Sequence, residues 1–332
     1  MARRRFTEID MAKGLAIALV VFGHVVAREA PAGNDWYVVA KRLVYQFHMP
    51  FFMFLSGAVF QATYVPIEGF ASYRRYAARK ASRLVPGFVL FSLLIWAGKA
   101  GASHFFHVDN AQSGGLDALL RIFTDPAISV AGSLWYVYVL LELQLVFPLL
   151  LALAGVAAVV AIAAALHVVS LAVDLPTLFA IDRFFEFALF FSLGFAWIRR
   201  YDALTALVSR RALLFGGLFA LSFVSIEIWP EAGSKTLIGL CSIPALFALV
   251  ASIPAGRARS ALLLLGEYTF SIYLMNTIAI GFTKGVMLKL LPWDGANFLL
   301  FFPTLLAVGL VGPVLLHRWV LVRVPALARI TK

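Results

Sequence analysis

The stretch RRRFTEIDMAKGLAIALVVFGHVVA (residues 3–27) joins a cluster of arginines to an apolar run. The run approaches the roughly 20 residues that an α-helix needs to cross the hydrocarbon core of a bilayer. The rest of the chain has the same character: 62% of its 332 residues are hydrophobic, 14% are charged and its mean hydropathy is +0.91. This composition excludes an ordinary soluble domain and predicts an all-α, polytopic membrane protein.

Apolar segments recur along the chain and predict about ten transmembrane helices. Their predicted boundaries are 9–27, 46–65, 84–102, 132–151, 153–173, 183–198, 212–229, 236–254, 265–283 and 298–317. Only a turn around Gly155 separates the fourth span from the fifth, so a single long helix there would invert the orientation of everything downstream. Nothing indicates a separate soluble domain, so residues 1–332 are predicted to form one integral membrane domain.

The excess of basic residues indicates how the chain is oriented. It has 28 Lys and Arg residues against 17 Asp and Glu residues, a net charge of +11. With the N-terminus placed inside, eighteen basic residues fall on cytoplasmic segments and nine on external ones, which favours both termini in the cytoplasm. Topology and membrane lipid therefore explain the charge, and no nucleic-acid partner is predicted. The single Cys241 excludes an intramolecular disulfide.

Three titratable residues interrupt the first span. At about 100° per residue, Asp10, Lys13 and His24 fall on one face of a helix, with Lys13 and His24 about 16 Å apart along it. An ionisable group as deep as His24 costs several kcal/mol unless it faces a partner or a water-filled cavity, so His24 is predicted to be functional. For Asp10 and Lys13 a second interpretation stays open, in which they pair with each other and Lys13 reaches the membrane surface. These charges also favour a retained helix over a cleaved secretory signal.

A second histidine opens the second span, in YQFHMPFFMFLSGAVF (residues 45–60). His48 enters from the outside at nearly the depth that His24 reaches from the inside, so the two imidazoles are predicted to meet. Because histidine titrates near neutral pH, it can take a proton from a hydroxyl group and return it. The alternative for this segment is an aromatic belt with an interfacial histidine.

These two segments resemble the signatures of acyltransferase family 3, a family of integral membrane acyltransferases. The resemblance rests on IDMAKGLAIALVVFGH (residues 9–24) and FHMPFFMFLSGAVF (residues 47–60). It extends to ARKASRLVPGFV (residues 78–89), LWYVYVLLELQLVFP (residues 134–148) and LGEYTFSIYLMN (residues 265–276). It covers nearly the whole chain and points above all to the short, single-domain members that O-acetylate sugars and polysaccharides.

The resemblance implies an O-acyltransferase that uses cytoplasmic acetyl-CoA as donor and no metal. The acceptor would be a hydroxyl group of a saccharide or glycolipid of the cell envelope, with His24 as general base. A variant stays open in which His24 is first acetylated and forms an acetyl-imidazole intermediate. The implied residues are His24, His48 and Glu142 for catalysis, Asp10, Lys13, Arg79 and Arg83 for the donor, and Trp135, Tyr136 and Asn276 for the acceptor.

Three positions depart from the family pattern. Members commonly carry Arg in place of Lys13, and the lysine keeps the charge but loses the bidentate geometry that suits phosphate. They often carry His in place of Asn276, so no proton transfer is assigned to this residue. Glu142 lies a residue or two from the usual acidic position, and a buried pairing with a Tyr or an Arg would explain it as well.

Other interpretations of the external residues stay open. Trp135 and Tyr136 fit an interfacial aromatic belt as well as a platform on which a sugar stacks. Arg183 and Glu186 are three residues apart, as the members of a structural ion pair would be.

The competing functional class is a transporter or proton-coupled flippase of a glycan or small molecule. Against it, the sequence shows no matched pair of broken helices in its two halves. His104 and His107 have an HxxH spacing without further ligands nearby, so a metal site is not expected there. The sequence leaves the oligomeric state open.

Overall fold

The computed structural model describes residues 6–27, 30–102 and 115–331. Within these ranges the chain is helical throughout, apart from turns and one isolated bridge between Ala32 and Asp294. The predicted all-α class is confirmed. His104 and His107 lie outside the described residues.

The helices of the described ranges follow one another in chain order. They are α1 (Thr7–His24), α2 (Asp35–Tyr45), α3 (His48–Thr63), α4 (Phe70–Ala102), α5 (Gly115–Thr124), α6 (Trp135–Leu153), α7 (Val156–Ala172), α8 (Ile181–Arg199), α9 (Tyr201–Arg210), α10 (Ala212–Ser222), α11 (Ser225–Ile228), α12 (Glu231–Ala251), α13 (Arg257–Glu267), α14 (Thr269–Met287), α15 (Phe298–Trp319) and α16 (Pro325–Ile330).

Five helical segments of the described chain are long and apolar enough to cross a membrane, and two bent helix pairs raise the number to seven. Helices α1 and α8 have sufficient length, but each carries several charged residues. The helix α7 is apolar and shorter. Ten spans with both termini in the cytoplasm therefore stay a prediction, and the multi-pass character of the chain is supported.

Two sharp bends separate consecutive helices, and one of them falls inside a predicted span. Helix α9 meets the segment formed by α10 and α11 at an angle of 79°, and α13 meets α14 at 84°. The predicted span 265–283 was wrong at its start, because the second bend falls at Tyr268. Both bends lie in the C-terminal half of the chain. The predicted break near Gly155 is present, since Ala154 and Gly155 have extended backbone between α6 and α7.

Glycines set how closely the central helices approach. A Cβ atom on Gly57 of α3 would lie 1.8 Å from the carbonyl oxygen of Phe191, and one on Gly194 of α8 would lie 1.8 Å from that of Phe54. These two glycines therefore meet where α3 crosses α8. Small residues at such crossings let two helix backbones pack directly, which is a main source of helix association in membranes.

The first helix lies inside the bundle. It packs against α3, α12, α13, α14 and α15, and Gly14 and Gly266 allow a backbone contact between α1 and α13. Half of the 18 residues of α1 are buried, and Asp10, Lys13 and His24 are among those that keep partial accessibility. The predicted stripe therefore lies on one continuous helix that packs inside the bundle.

Candidate functional site

The C-terminal end of α1 is held by side chains of α2. The last carbonyl groups of a helix lack partners within the helix itself. Here the hydroxyl of Tyr37 donates to the carbonyl oxygen of Phe22 at 2.5 Å, and the hydroxyl of Tyr45 donates to that of Gly23 at 3.0 Å. The Lys41 ammonium donates to carbonyl oxygens just beyond the helix, where a cation is favourable. His24 therefore sits on a helix end that has little freedom to move.

His24 meets Asn276 across the interface between α1 and α14. The imidazole Nδ1 atom and the Asn276 Oδ1 atom are 2.7 Å apart. The Asn276 Nδ2 atom donates to the carbonyl oxygens of Ile272 and Tyr273, at 2.8 and 2.9 Å. Since carbonyl oxygens only accept, the amide orientation is determined, and Oδ1 faces the histidine.

This arrangement determines the tautomer of His24. An amide oxygen only accepts hydrogen bonds, so Nδ1 of His24 must carry the hydrogen. The Nε2 atom is then left with its lone pair, which is the form that a general base needs. Asn276 is fully buried, with 0% of its surface exposed, so its amide has no route to an alternative partner in water.

His48 occupies the first position of α3, close to this pair. Its Nδ1 atom lies 3.0 Å from the carbonyl oxygen of Val44, so it carries the hydrogen as well. Its ring packs on the Tyr45 ring, with centroids 4.7 Å apart. His48 is buried and near enough to His24 for the two to interact electrostatically. Gly23 makes the arrangement possible, because a Cβ there would lie 2.4 Å from the Tyr45 ring.

The other end of the stripe holds an ion pair. The Lys13 Nζ atom is 3.2 Å from the Asp10 Oδ1 atom, and both side chains are about a quarter exposed, at 25% and 23%. The pairing interpretation of these two residues therefore agrees with the structure. Lys13 and His24 are eleven residues apart on one unbroken helix, which corresponds to about 16 Å along its axis.

The remaining predicted donor residues lie on α4. Arg79 and Arg83 are exposed on this helix, which packs against α6, α14 and α16. Their exposure leaves them accessible to an anionic ligand.

The two predicted aromatic residues differ in their surroundings. Tyr136 is buried, its ring packs against Phe52 and Tyr273 at 4.7 and 5.1 Å, and its hydroxyl shares a hydrogen bond with Ser56. These are the contacts of a core residue. Trp135 is partly accessible and stacks on a buried phenylalanine of α8.

Glu142 points a carboxylate into the interior of the bundle. Its Oε2 atom is buried and has no hydrogen-bond partner among the described residues. A buried acceptor in this state costs about 1–3 kcal/mol. The alternative explanation for Glu142, a buried pairing with a Tyr or an Arg, does not account for this oxygen.

A cavity that sequence reasoning missed opens between α7, α8 and α12, with a volume of about 370 Å³. Its walls carry Asp182, Arg183 and Glu186 of α8 and Lys235 of α12, and Pro50 of α3 also lines it. The predicted ion pair is confirmed, since the Arg183 Nη1 and Glu186 Oε2 atoms are 2.8 Å apart. The charged residues at the start of α8 are the one sequence feature that points to this cavity. No local pattern in the sequence shows that α8 packs beside α7 and α12 there.

The contact between His24 and Asn276 is not predicted from the sequence either, although each of the two is a predicted site residue. Asn276 was predicted to bind the acceptor, whereas in the structure it touches the histidine. Asn276 ends the segment LGEYTFSIYLMN, and His24 ends the segment IDMAKGLAIALVVFGH. Neither segment by itself indicates that α1 packs against α14.

The fold and the site define a polytopic helical membrane protein with an oriented histidine between its helices. Residues 6–318 match the family described as "Acyltransferase domain", acyltransferase 3. The chain belongs to this family, because the match covers nearly its whole length.

Two curated relatives are similar over a shorter region. One is the nodulation protein NolL of Sinorhizobium fredii (strain NBRC 101917 / NGR234), which is 28% identical over 142 residues, or 42% of this chain and 35% of the relative. The other is the nodulation protein NolL of Mesorhizobium japonicum (strain LMG 29417 / CECT 9101 / MAFF 303099), 27% identical over 136 residues, or 40% and 33%. The similar region thus spans about a third of each relative. No solved structure matches the chain.

Proposed function

We propose that this protein is an O-acyltransferase that moves an acyl group, acetyl in the simplest case, from acyl-CoA to a hydroxyl group of a saccharide or glycolipid. We place it in the bacterial inner membrane, with both termini and the donor on the cytoplasmic side. Membership of the acyltransferase family supports the reaction class. The saccharide acceptor follows from the sequence resemblance to the members that O-acetylate sugars.

The observation that carries the proposal is the hydrogen bond from His24 Nδ1 to Asn276 Oδ1. It presents the lone pair of Nε2 to an acceptor hydroxyl. His24 takes the hydroxyl proton while the oxygen attacks the thioester carbonyl carbon. The carbon–sulfur bond then breaks, and the imidazolium returns the proton to the thiolate, which leaves as the free thiol of CoA. Asn276 accepts from Nδ1 throughout and stabilises the imidazolium as it forms. We therefore reassign Asn276 from acceptor binding to positioning His24.

The donor is proposed to lie along the stripe on α1. Its phosphates need cations, and Lys13, Arg79 and Arg83 are the candidates, with Asp10 holding Lys13 in place. The pantetheine arm of CoA is comparable in length to the separation of about 16 Å between Lys13 and His24. A donor bound by its phosphates near Lys13 would then present its thioester to His24.

Two further residues retain proposed catalytic roles. His48 is proposed to assist His24, because its ring lies in the same region and its Nε2 atom also carries a lone pair. Glu142 is proposed to bind a polar group of a substrate through its unpartnered oxygen. Trp135 is proposed to contact the acceptor, while the packing of Tyr136 favours a supporting role.

The proposal is tested by following labelled acetyl groups from acetyl-CoA into saccharide. Membranes would contain the wild-type chain, His24→Ala or His24→Gln at equal protein level. Glutamine can still donate to Asn276 but offers no basic nitrogen, so both variants are expected to lose transfer. Substantial activity in His24→Gln would overturn the role of His24. Movement of an unmodified saccharide across the membrane, without acylation, would favour the transporter.

A further inference from the structure

The cavity between α7, α8 and α12 differs in charge from the chain as a whole. The protein has a net charge of +11. The charged residues that line the cavity are mainly acidic: Asp174, Asp182, Glu186 and Glu231 against Arg183 and Lys235. A net negative cavity attracts cations and repels anions. Its volume lies within the range of about 300–1,000 Å³ that is usual for small-molecule sites.

The cavity reaches the first turn of α3, which begins at His48. Pro50, which lines it, is two residues beyond His48 on the first turn of α3. The Pro50 ring rests against Gly239 of α12, where a Cβ would lie 2.8 Å from it. Lys235 interacts electrostatically with His48. Neither His24 nor His48 lines the cavity, but a molecule that fills it lies against the first turn of α3, the turn that also carries His48.

The polar groups of the cavity are partly engaged with one another. Glu186 pairs with Arg183 at 2.8 Å and with Lys235 at 3.8 Å, and its backbone carbonyl accepts from His167. These contacts hold α7, α8 and α12 together around the opening. The Oδ2 atom of Asp182 lies 3.4 Å from the Arg183 Nε atom, whereas its Oδ1 atom is buried and has no hydrogen-bond partner among the described residues. A hydroxyl or ammonium group of a ligand would supply the missing donor.

We propose that this cavity is the acceptor subsite, and that it takes a saccharide that is neutral or carries an amine. The role of the cavity in acyl transfer rests on the proposed function. Sugar hydroxyls donate to carboxylates in charge-assisted hydrogen bonds, and an ammonium group gains further from the negative surroundings. A uronic acid would place its carboxylate among four others, so acidic saccharides are excluded.

Binding is measured first, without donor, on the full chain purified in detergent. The probes are glucose, glucosamine and glucuronic acid oligosaccharides of one length, in equilibrium dialysis. The glucosamine oligomer is expected to bind most tightly and the glucuronic acid oligomer most weakly. Asp182→Asn should raise the Kd by about tenfold, the loss of roughly one charge-assisted hydrogen bond. If Asp182→Asn does not fold, Glu231→Gln replaces it, since Glu231 is exposed. This variant should reduce the difference in Kd between the glucosamine and the glucuronic acid oligomers.

Glu227→Gln is the matched control, because Glu227 is an exposed acid four residues before Glu231 and does not line the cavity. It should bind all three oligomers as the wild type does. Equal binding of the glucosamine and glucuronic acid oligomers would overturn the proposal. So would variants of Asp182 and Glu231 that are indistinguishable from Glu227→Gln.

Acyl-transfer kinetics then separate the two proposals. The glucosamine oligomer could bind most tightly and the glucuronic acid oligomer most weakly, without acyl transfer from any acyl-CoA. This result would support the cavity as a saccharide site and overturn the acyltransferase function. If Asp182→Asn and the wild type transfer acyl groups with the same acceptor KM, the acyltransferase function is supported and the cavity is not the acceptor subsite. Absence of both binding and transfer would overturn both.

Discussion

Asn276 of α14 accepts a hydrogen bond from His24 of α1, although the two residues are 252 positions apart in the chain. The Asn276 amide nitrogen is committed to two backbone carbonyl groups of its own helix. The same contact therefore orients the imidazole ring and assigns its hydrogen to Nδ1. Asn276 acts through His24 and is a positioning residue.

Replacement of Asn276 by Ala should reduce kcat by about 100-fold, at the lower end of what a general base contributes. The KM values for donor and acceptor should change less than about threefold, because the residue is proposed to act on the tautomer and orientation of His24 and not on substrate binding. Steady-state kinetics with both substrates varied would measure this split. An effect on KM alone, with kcat unchanged, would contradict the positioning role.

Replacement of Gly23 by Ala should impair both stability and activity. The added methyl group would lie 2.4 Å from the Tyr45 ring, which must then move away from His48 and from the Gly23 carbonyl. Such overpacking costs about 1–3 kcal/mol. Thermal unfolding in detergent and the acetyl-transfer assay would measure the two effects.

Gly98→Ala is the matched control for Gly23→Ala. Gly98 is exposed on α4, and a Cβ there would have no neighbour within 4 Å. Alanine is favoured over glycine in helices by roughly 0.5–1 kcal/mol, so this variant should be as stable as the wild type or slightly more. If Gly23→Ala and Gly98→Ala have the same thermal stability and the same acetyl-transfer activity, the contact between Tyr45 and Gly23 contributes to neither.

Replacement of Lys13 by Ala should raise the KM for acetyl-CoA by about tenfold, equivalent to about 1.4 kcal/mol, and leave the acceptor KM unchanged. The reason is that Lys13 is proposed to contact phosphate at the end of the stripe remote from His24. Lys13→Arg should keep the activity, since arginine also binds phosphate and commonly occupies this place in the family that the sequence resembles. A donor KM that stays constant in Lys13→Ala would remove Lys13 from the donor site.

The membrane orientation can be tested with single cysteines, because Cys241 is the chain's only cysteine. In a Cys241→Ser background, a cysteine at Gly155 should react with impermeant maleimide only from the cytoplasmic side. A cysteine at Asp174, on the far side of α7, should react only from outside. Labelling of both from one side would show that α7 does not cross the membrane.

The local features of the site were predictable because they depend on residues close in sequence. A continuous helix through Lys13 and His24 follows from the apolar run, and the pair of Arg183 with Glu186 follows from their spacing. The bend at Tyr268 was not predicted, since the apolar composition continues through it and the close contact of Gly266 with α1 is invisible in the sequence of α13. Tyr136 is predicted to bind the acceptor, but it is buried in the structure. The sequence does not show whether an aromatic residue at a helix end faces the core or the surface.

The class of the protein follows from its sequence, because hydropathy and helical rise are properties of single residues and their near neighbours. The all-α membrane character, the separation of Lys13 from His24 and the family follow from the sequence in the same way. The orientation of His24 by Asn276, the packing of Tyr45 against Gly23 and the cavity that charges from two helices line are found only in the folded chain. These depend on which helices pack together, and that choice is made by close contacts between residues far apart in the chain.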